Sequence, residues 1–115
     1  MELLEALENL EQTELNSVEE YQAFLDQFSP DLQAQMIAAL STGVLHLQDD
    51  YLREDAVIRV EELEIALHLS PDKYAEYLYK KRTQLNSYVA RLLTCMQNSK
   101  LDINTFWLRS QPATL

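Results

Sequence analysis

Glycine is nearly absent from this chain of 115 residues, which contains one glycine and three prolines. Phosphate-binding loops of the GxxxxGK[ST] and GxGxxG types each need at least two glycines, so the sequence excludes both. Tight hairpins and multi-stranded barrels also depend on residues that tolerate positive φ. The composition therefore argues against nucleotide-binding loops, tight hairpins and multi-stranded barrels.

Thiols and imidazoles are also scarce, with one cysteine and two histidines. Cys95 cannot form an intramolecular disulfide, and the first ten residues lack the basic flank of a secretory signal, so we expect a reducing, cytoplasmic location. Cys95, His46 and His68 do not stand at metal-ligand spacing, and no CxxC or HExxH motif is present. We therefore predict no cofactor and no metal, and we interpret Cys95 as a small buried apolar residue rather than a nucleophile.

Carboxylates are the only abundant groups with catalytic chemistry, with 19 Asp and Glu residues. At helical spacing such residues usually form a solvated face, so we predict that the protein is not an enzyme. His46, Asp49 and Asp50 could touch a cation, but the Asp pair more simply caps or turns into the next segment.

Long apolar runs are missing as well. The longest uncharged stretch, residues 32–48, is interrupted by Gln33, Gln35 and His46. It does not resemble the roughly 20 consecutive apolar residues that cross a bilayer. We predict no transmembrane segment and no membrane partner.

Positive charge is absent from the first 52 residues, because the first Lys or Arg is Arg53. Residues 1–50 contain eleven acids and no base, which gives a net charge of −11. Residues 51–72 contain six acids and two bases, a net charge of −4, and residues 73–115 contain two acids and seven bases, a net charge of +5. The acidic and basic parts could face each other within the fold, copies could associate head to tail, or one pole could receive a partner.

Apolar spacing and capping residues predict helices along the first half. Leucines at positions 3, 7 and 10 form a stripe beside acidic residues, which indicates a short amphipathic helix. Ser17 and Glu20 fit a capping box before a second helix, from about Val18 to Gln27. Ser29 followed by Pro30 predicts the start of a central helix.

The central helix is expected to be enclosed on most sides, because residues 32–48 carry no charge. Its predicted buried stripe includes Met36, Leu40 and Leu47. Gly43, four residues after Ala39, either permits close approach of another helix or ends this helix through a left-handed cap.

The second half is also predicted to be helical. Residues 55–69 alternate like a strand but fit a helix with two apolar faces, and a lone strand would have no partner. Ser70 is expected to begin the longest helix, which reaches to about Asn98, and residues 103–108 to fold back as a final turn. The fold class is thus all-α: a compact bundle of about four main helices plus a short C-terminal helix, with one domain over residues 1–109 and a flexible tail over 110–115.

Basic residues on the predicted long helix suggest one alternative function. Lys73, Lys80 and Arg91 fall on one helical face, which could contact nucleic acid or dock the glutamate-rich first helix. Three cations are few for tracking phosphates, and a net charge of −10 repels a polyanion. We regard nucleic-acid binding by this face as an alternative only.

The main functional prediction is a small acidic protein-interaction module, such as an adaptor, an inhibitor or immunity protein, or an accessory subunit. Its partner would be another protein or a second copy in a homodimer. An acidic mimic of nucleic acid that inhibits a basic partner is a second alternative. The predicted partner-binding residues are Glu2, Glu5, Glu8, Glu11, Glu19, Glu20, Lys73, Lys80 and Arg91.

Overall fold

The computed structural model describes residues 2–108, and within them every regular element is a helix. The compact all-α bundle predicted from the sequence is confirmed. Short 3-10 helices span Glu54–Ala56, Val60–Glu62 and Pro71–Lys73. The α-helices are α1 (Leu3–Gln12), α2 (Val18–Leu25), α3 (Pro30–Leu45), α4 (Leu63–Ala66), α5 (Tyr74–Lys80), α6 (Leu85–Asn98) and α7 (Ile103–Phe106).

The starts of α2 and α3 follow the predicted capping rules. The Ser17 hydroxyl accepts a hydrogen bond from the Glu20 amide at 3.1 Å. The Glu20 carboxylate returns to the amide of Asn16, at 2.5 Å, rather than to that of the cap residue itself. Ser29 accepts from the Leu32 amide at 3.2 Å. These bonds satisfy amides that the first helical turn leaves without partners.

Helix α3 is the centre of the molecule, as its lack of charge predicted. Its residues from Leu32 to Gly43 are buried apart from Gln33, and α3 packs against α1, α4 and α6. Gly43 lies inside the helix and has no positive φ, so the close-approach prediction is confirmed and the cap prediction is wrong. Leu47 was expected in the buried stripe, but it follows the helix end and is exposed.

The predicted long helix from Ser70 to Asn98 is wrong. The chain turns over residues 81–84 between α5 and α6. The break lets α5 pack against α2 while α6 packs against α3. The Arg82 guanidinium donates to the Tyr79 carbonyl at 2.7 Å, which supplies a partner to a helix-end acceptor.

The Ser70 cap is also wrong. Its hydroxyl donates to the Asp72 carboxylate instead of accepting from the helix, and Pro71–Lys73 forms a 3-10 turn before α5. The predicted helix over residues 55–69 is reduced to two 3-10 turns and the single turn α4. Ile65, which a second apolar helix face would have buried, is 82% exposed.

The C-terminal turn folds back on the bundle, as predicted. Ile103 and Trp107 are buried, and Phe106 packs edge-to-face on Trp107 with ring centroids 4.8 Å apart. The predicted boundary at residue 109 and the predicted tail over 110–115 lie outside the described residues. No helix within residues 2–108 has the length and apolar character needed to cross a bilayer.

Candidate partner-binding surface

Helix α1 presents four of the six predicted acidic contact residues on its outer side. Its leucines at 3, 7 and 10 and Ala6 are buried against the bundle, so the glutamates between them are turned to solvent. Glu2 precedes the helix as its N-cap residue, and its side chain makes no capping hydrogen bond. We call Glu2, Glu5, Glu8 and Glu11, which are all exposed, the α1 acidic face.

Glu11 is the member of this face whose surroundings disfavour its charged form. Burial raises the pKa of Glu11 above its ordinary value, and the negative charge of Glu8, three residues earlier, raises it further. Residues three apart are neighbours on a helix surface, where like charges repel. The fold therefore holds Glu11 close enough to Glu8 for their charges to repel.

The two predicted acids of α2 form a separate set. Glu19 and Glu20 are exposed in the first turn of α2, where carboxylates favour the helix dipole. The Glu20 carboxylate is already used in the bond to the Asn16 amide. Because α2 packs on α5 whereas α1 packs on α3, α6 and α7, these two acids belong to a helix that is packed differently from the α1 acidic face.

The predicted basic face does not form, because its residues belong to different elements. Lys73 ends a 3-10 turn, Lys80 ends α5, and Arg91 lies on α6 beyond the break. The Arg91 guanidinium donates to the Asp49 carbonyl at 3.0 Å and pairs with Asp50 at 3.4 Å, so it fastens α6 to the loop after α3.

Lys73 and Lys80 do share a cavity of about 300 Å³ with Glu76, but charges of opposite sign accompany them. Lys80 forms an ion pair with Glu76 at 2.9 Å, and this bond lowers the pKa of Glu76 below its ordinary value. A hydrogen bond from Ser70 and the nearby Lys73 charge lower the pKa of Asp72. Glu76 therefore offsets one of the two lysines that line the cavity, and Asp72 lies next to the other in the chain.

Ion pairs within residues 2–108 are local, and none includes a member of the α1 acidic face. There are three such pairs among the described residues. They join Arg53 to Asp49, Lys80 to Glu76, and Arg91 to Asp50. Internal neutralisation of α1 by the basic second half, which the charge asymmetry allowed, is not found in the described part of the chain.

Both nitrogens of His46 are used inside the protein. The Arg53 amide donates to His46 Nε2 at 2.8 Å, so Nδ1 carries the proton and donates to the Thr42 carbonyl at 2.8 Å. The ring thus ties the end of α3 to the following loop and has no free lone pair for a cation. Among the described residues, no group of three or more His, Cys, Asp or Glu side chains is arranged to hold a metal ion.

Cys95 is buried on α6, as the sequence indicated. Its Sγ donates to the Asp49 carbonyl at 3.3 Å. Burial raises the pKa of the thiol; the nearby Arg91 charge opposes this effect, and the charges of Asp49 and Asp50 add to it. The environment therefore disfavours the thiolate, which is the nucleophilic form.

The structure also brings together polar residues that were not predicted as a group. A cavity of about 410 Å³ is lined by Glu2 of the α1 acidic face and by Gln35 of α3 and Asp102 before α7. Asp102 caps α7 by accepting from the Asn104 amide at 2.9 Å. An aspartate before a helical turn is a local signal for a cap, which the sequence contains at Asp102. That Asp102 and Glu2 line one cavity depends on the tertiary fold, which local sequence does not show.

Comparison of the chain with models of protein families, with curated proteins and with solved structures finds no match.

Proposed function

We propose that this protein is a non-enzymatic interaction module that binds a basic protein surface through the α1 acidic face. The single observation that carries the proposal is that four exposed glutamates stand at three-residue intervals without any ion pair among the described residues. Repulsion between neighbouring glutamates lowers the free energy of unfolding. The same four charges dispersed over the surface would lower it less.

A positively charged partner surface would attract these glutamates and offset their mutual repulsion. Charged surfaces accelerate encounter and fix the orientation of two proteins, and these effects weaken as salt concentration rises. The rigid backing of α1, whose leucines are buried in the bundle, keeps the four carboxylates in place before the partner arrives. Binding therefore requires little ordering of the α1 backbone, and the ordering cost falls on the exposed glutamate side chains.

The alternative function of nucleic-acid binding rested on one continuous basic helix face. Because the chain turns at residues 81–84, Arg91 is separated from Lys73 and Lys80 by a helix break. A mimic of nucleic acid would use the same α1 acidic face, so it is a special case of the proposal, in which the partner's basic surface also binds a polyanion. Competition by a DNA duplex for the captured partner distinguishes the two.

Matched charge reversals test the proposal. Glu5→Lys, Glu8→Lys and Glu11→Lys are combined in one variant, and Asp55→Lys, Glu62→Lys and Glu64→Lys in a control with the same net charge. Each protein is used to capture partners from the native host, and bound proteins are quantified by mass spectrometry. We expect the α1 variant to lose partners that the wild type and the control retain. Equal retention by the two variants would refute the proposal.

A further inference from the structure

Trp107 contains the one buried side-chain nitrogen or oxygen atom that has no hydrogen-bond partner among residues 2–108. The residue is only 2% exposed, and its indole Nε1–H can donate a hydrogen bond but not accept one. Buried donors in folded proteins nearly always have partners, because an unpaired donor loses its hydration without compensation. An acceptor atom from outside the chain would supply the missing bond.

Trp107 lines a small cavity that also borders Arg59, Phe106 and Leu108. The cavity measures about 10 Å³, which is room for one water-sized atom. Phe106 meets Trp107 edge-to-face, with ring centroids 4.8 Å apart, and Leu108 is 57% exposed. The largest group that this cavity holds is therefore a single oxygen atom.

An apolar groove of about 230 Å³ adjoins the small cavity, and we call it the Phe106 groove. Its apolar lining residues are Leu52, Val57, Leu101 and Phe106. Its volume is below the roughly 300–1,000 Å³ of pockets that hold drug-sized ligands, so it suits a smaller apolar group such as a phenyl ring. Phe106 lines both spaces and is only partly buried, so a small turn of its ring joins them.

Arg59 also lines both spaces, and its charge is unpaired. The side chain is exposed and forms no ion pair or hydrogen bond with another described residue. A guanidinium, like the indole N–H of Trp107, donates hydrogen bonds and accepts none. Both groups therefore require an acceptor. One carboxylate can accept from both, because its two oxygens offer about four lone-pair positions.

Two carboxylates of the chain oppose an anionic ligand here, Glu54 on the Phe106 groove and Glu61 on the small cavity. Both side chains are exposed, so water and salt screen their repulsion. The Trp107 donor is shielded from solvent, where a hydrogen bond to a charged acceptor is stronger than in water. The balance of these effects favours a negatively charged acceptor.

We propose that the Phe106 groove binds a small carboxylic acid with an apolar body, such as an arylalkanoate. The apolar body packs on Val57, Leu101 and Phe106, and the carboxylate accepts hydrogen bonds from Arg59 and from Trp107 Nε1–H. This site goes beyond the proposed partner binding and uses no residue of the α1 acidic face. Either proposal can therefore fail without the other.

Three probes with one phenyl and three-carbon body test the proposal: 3-phenylpropanoate, 3-phenylpropanamide and 3-phenylpropylammonium. Each is titrated into the ¹⁵N-labelled full chain, and its affinity is measured from the ¹H–¹⁵N spectrum. A net charge of −10 attracts the ammonium and repels the carboxylate wherever they bind. We expect the opposite order, with the carboxylate tightest and the ammonium weakest. Ammonium binding at least as tight as carboxylate binding, or no binding by any probe, would overturn the proposal.

The indole resonance reports the proposed hydrogen bond directly. Trp107 is the only tryptophan in the chain, so its Nε1–H gives a single cross-peak. We expect this proton to move downfield as the carboxylate binds, because it enters a hydrogen bond, and to move least with the ammonium. Carboxylate binding that leaves the cross-peak in place would show that Trp107 does not hold the ligand, contrary to the proposal.

Variants separate the two donors. Trp107→Phe keeps an aromatic ring and removes the N–H, and should weaken carboxylate binding about tenfold, as expected for a hydrogen bond to a charged group. The loss should be smaller for the ammonium, which accepts no hydrogen bond. Arg59→Gln removes an exposed charge and should weaken carboxylate binding about threefold, because exposed ion pairs contribute little.

A matched control separates the site from net charge. Lys73→Gln removes one positive charge from a different cavity and should leave the carboxylate affinity unchanged. Arg59 and Lys73 are both exposed, so these two variants keep the fold even if Trp107→Phe does not. Equal losses in the Arg59 and Lys73 variants would mean that the carboxylate responds to net charge alone, which refutes the assigned site.

Discussion

Gly43 on α3 lies directly against the backbone of Tyr88 on α6. A Cβ atom at Gly43 would stand 2.5 Å from the Tyr88 carbonyl oxygen and 3.1 Å from its carbonyl carbon. The only glycine in the chain is therefore placed where two helices cross, and its lack of a side chain sets how closely they approach.

Gly43→Ala should destabilise the protein although alanine is the better helix former. The helix-propensity gain of about 1 kcal/mol is outweighed by the clash with backbone atoms, so we expect a net loss of about 2 kcal/mol in the free energy of unfolding. Urea denaturation measures it. Ala90→Gly, at an exposed site on α6, calibrates the propensity term. A Gly43→Ala variant as stable as the wild type would contradict this, because it would show that relief of the clash costs only the roughly 1 kcal/mol that helix propensity returns.

Left-handed helix caps, where other proteins use glycine, are occupied here by His68 after α4 and Lys100 after α6, with φ of 52° and 59°. The Leu101 amide donates to the Met96 carbonyl at 2.9 Å and the Lys100 amide to the Gln97 carbonyl at 3.0 Å, the pattern that closes a helix with a glycine. Lys100→Gly should therefore raise the free energy of unfolding by about 1 kcal/mol. Gln97→Gly, inside the helix, should lower it by a similar amount. A destabilising Lys100→Gly would contradict this interpretation.

Cys95 should react slowly in the folded protein. Burial disfavours the thiolate and blocks access, so alkylation by iodoacetamide at pH 7.5 should be at least about a hundredfold slower than in urea, because it requires local opening. Mass spectrometry of the alkylated chain gives both rates. Comparable rates in the two states would mean that α6 exposes the thiol in solution.

Glu11 links the acidic face to stability. An acid whose pKa is raised by folding stabilises the fold at low pH, and that contribution is lost as the pH rises from the ordinary value of 4.5 through the folded value. Glu11→Gln should therefore stabilise the protein at pH 7, by no more than a few tenths of a kcal/mol because the group is exposed and screened. Melting curves at pH 7 and pH 3.5 should show the difference only at pH 7. Destabilisation at pH 7 would instead indicate a favourable contact of the carboxylate.

Local rules predicted the features that depend on neighbouring residues. The caps at Ser17 and Ser29 bind amides only three residues away, so both partners of each hydrogen bond lie within one short stretch of sequence. Ser70 has the same Ser-Pro-Asp pattern as Ser29, yet its hydroxyl bonds to Asp72. The difference lies in the backbone that follows, a 3-10 turn rather than an α-helix, which local sequence does not specify.

Tertiary packing decided the features that the sequence did not reveal. Apolar residues Leu78 and Leu85 are seven apart and fit one helical face, so their spacing gives no sign of the turn at residues 81–84. The turn exists because α5 and α6 pack against different helices. The acidic α1 face was predictable because amphipathic spacing alone exposes it, whereas the cavity beside Gln35 brings together Glu2 and Asp102 from opposite ends of the described chain.

Carboxyl footprinting of the complex tests the central claim most directly. The protein is labelled with a carbodiimide and glycine ethyl ester, free and bound to its captured partner, and the modification of each glutamate is quantified by mass spectrometry. We predict that Glu5, Glu8 and Glu11 are protected in the complex, while Glu62 and Glu64 are labelled as in the free protein. Unchanged labelling of the α1 glutamates, with protection elsewhere, would contradict the assignment of the α1 acidic face as the binding surface.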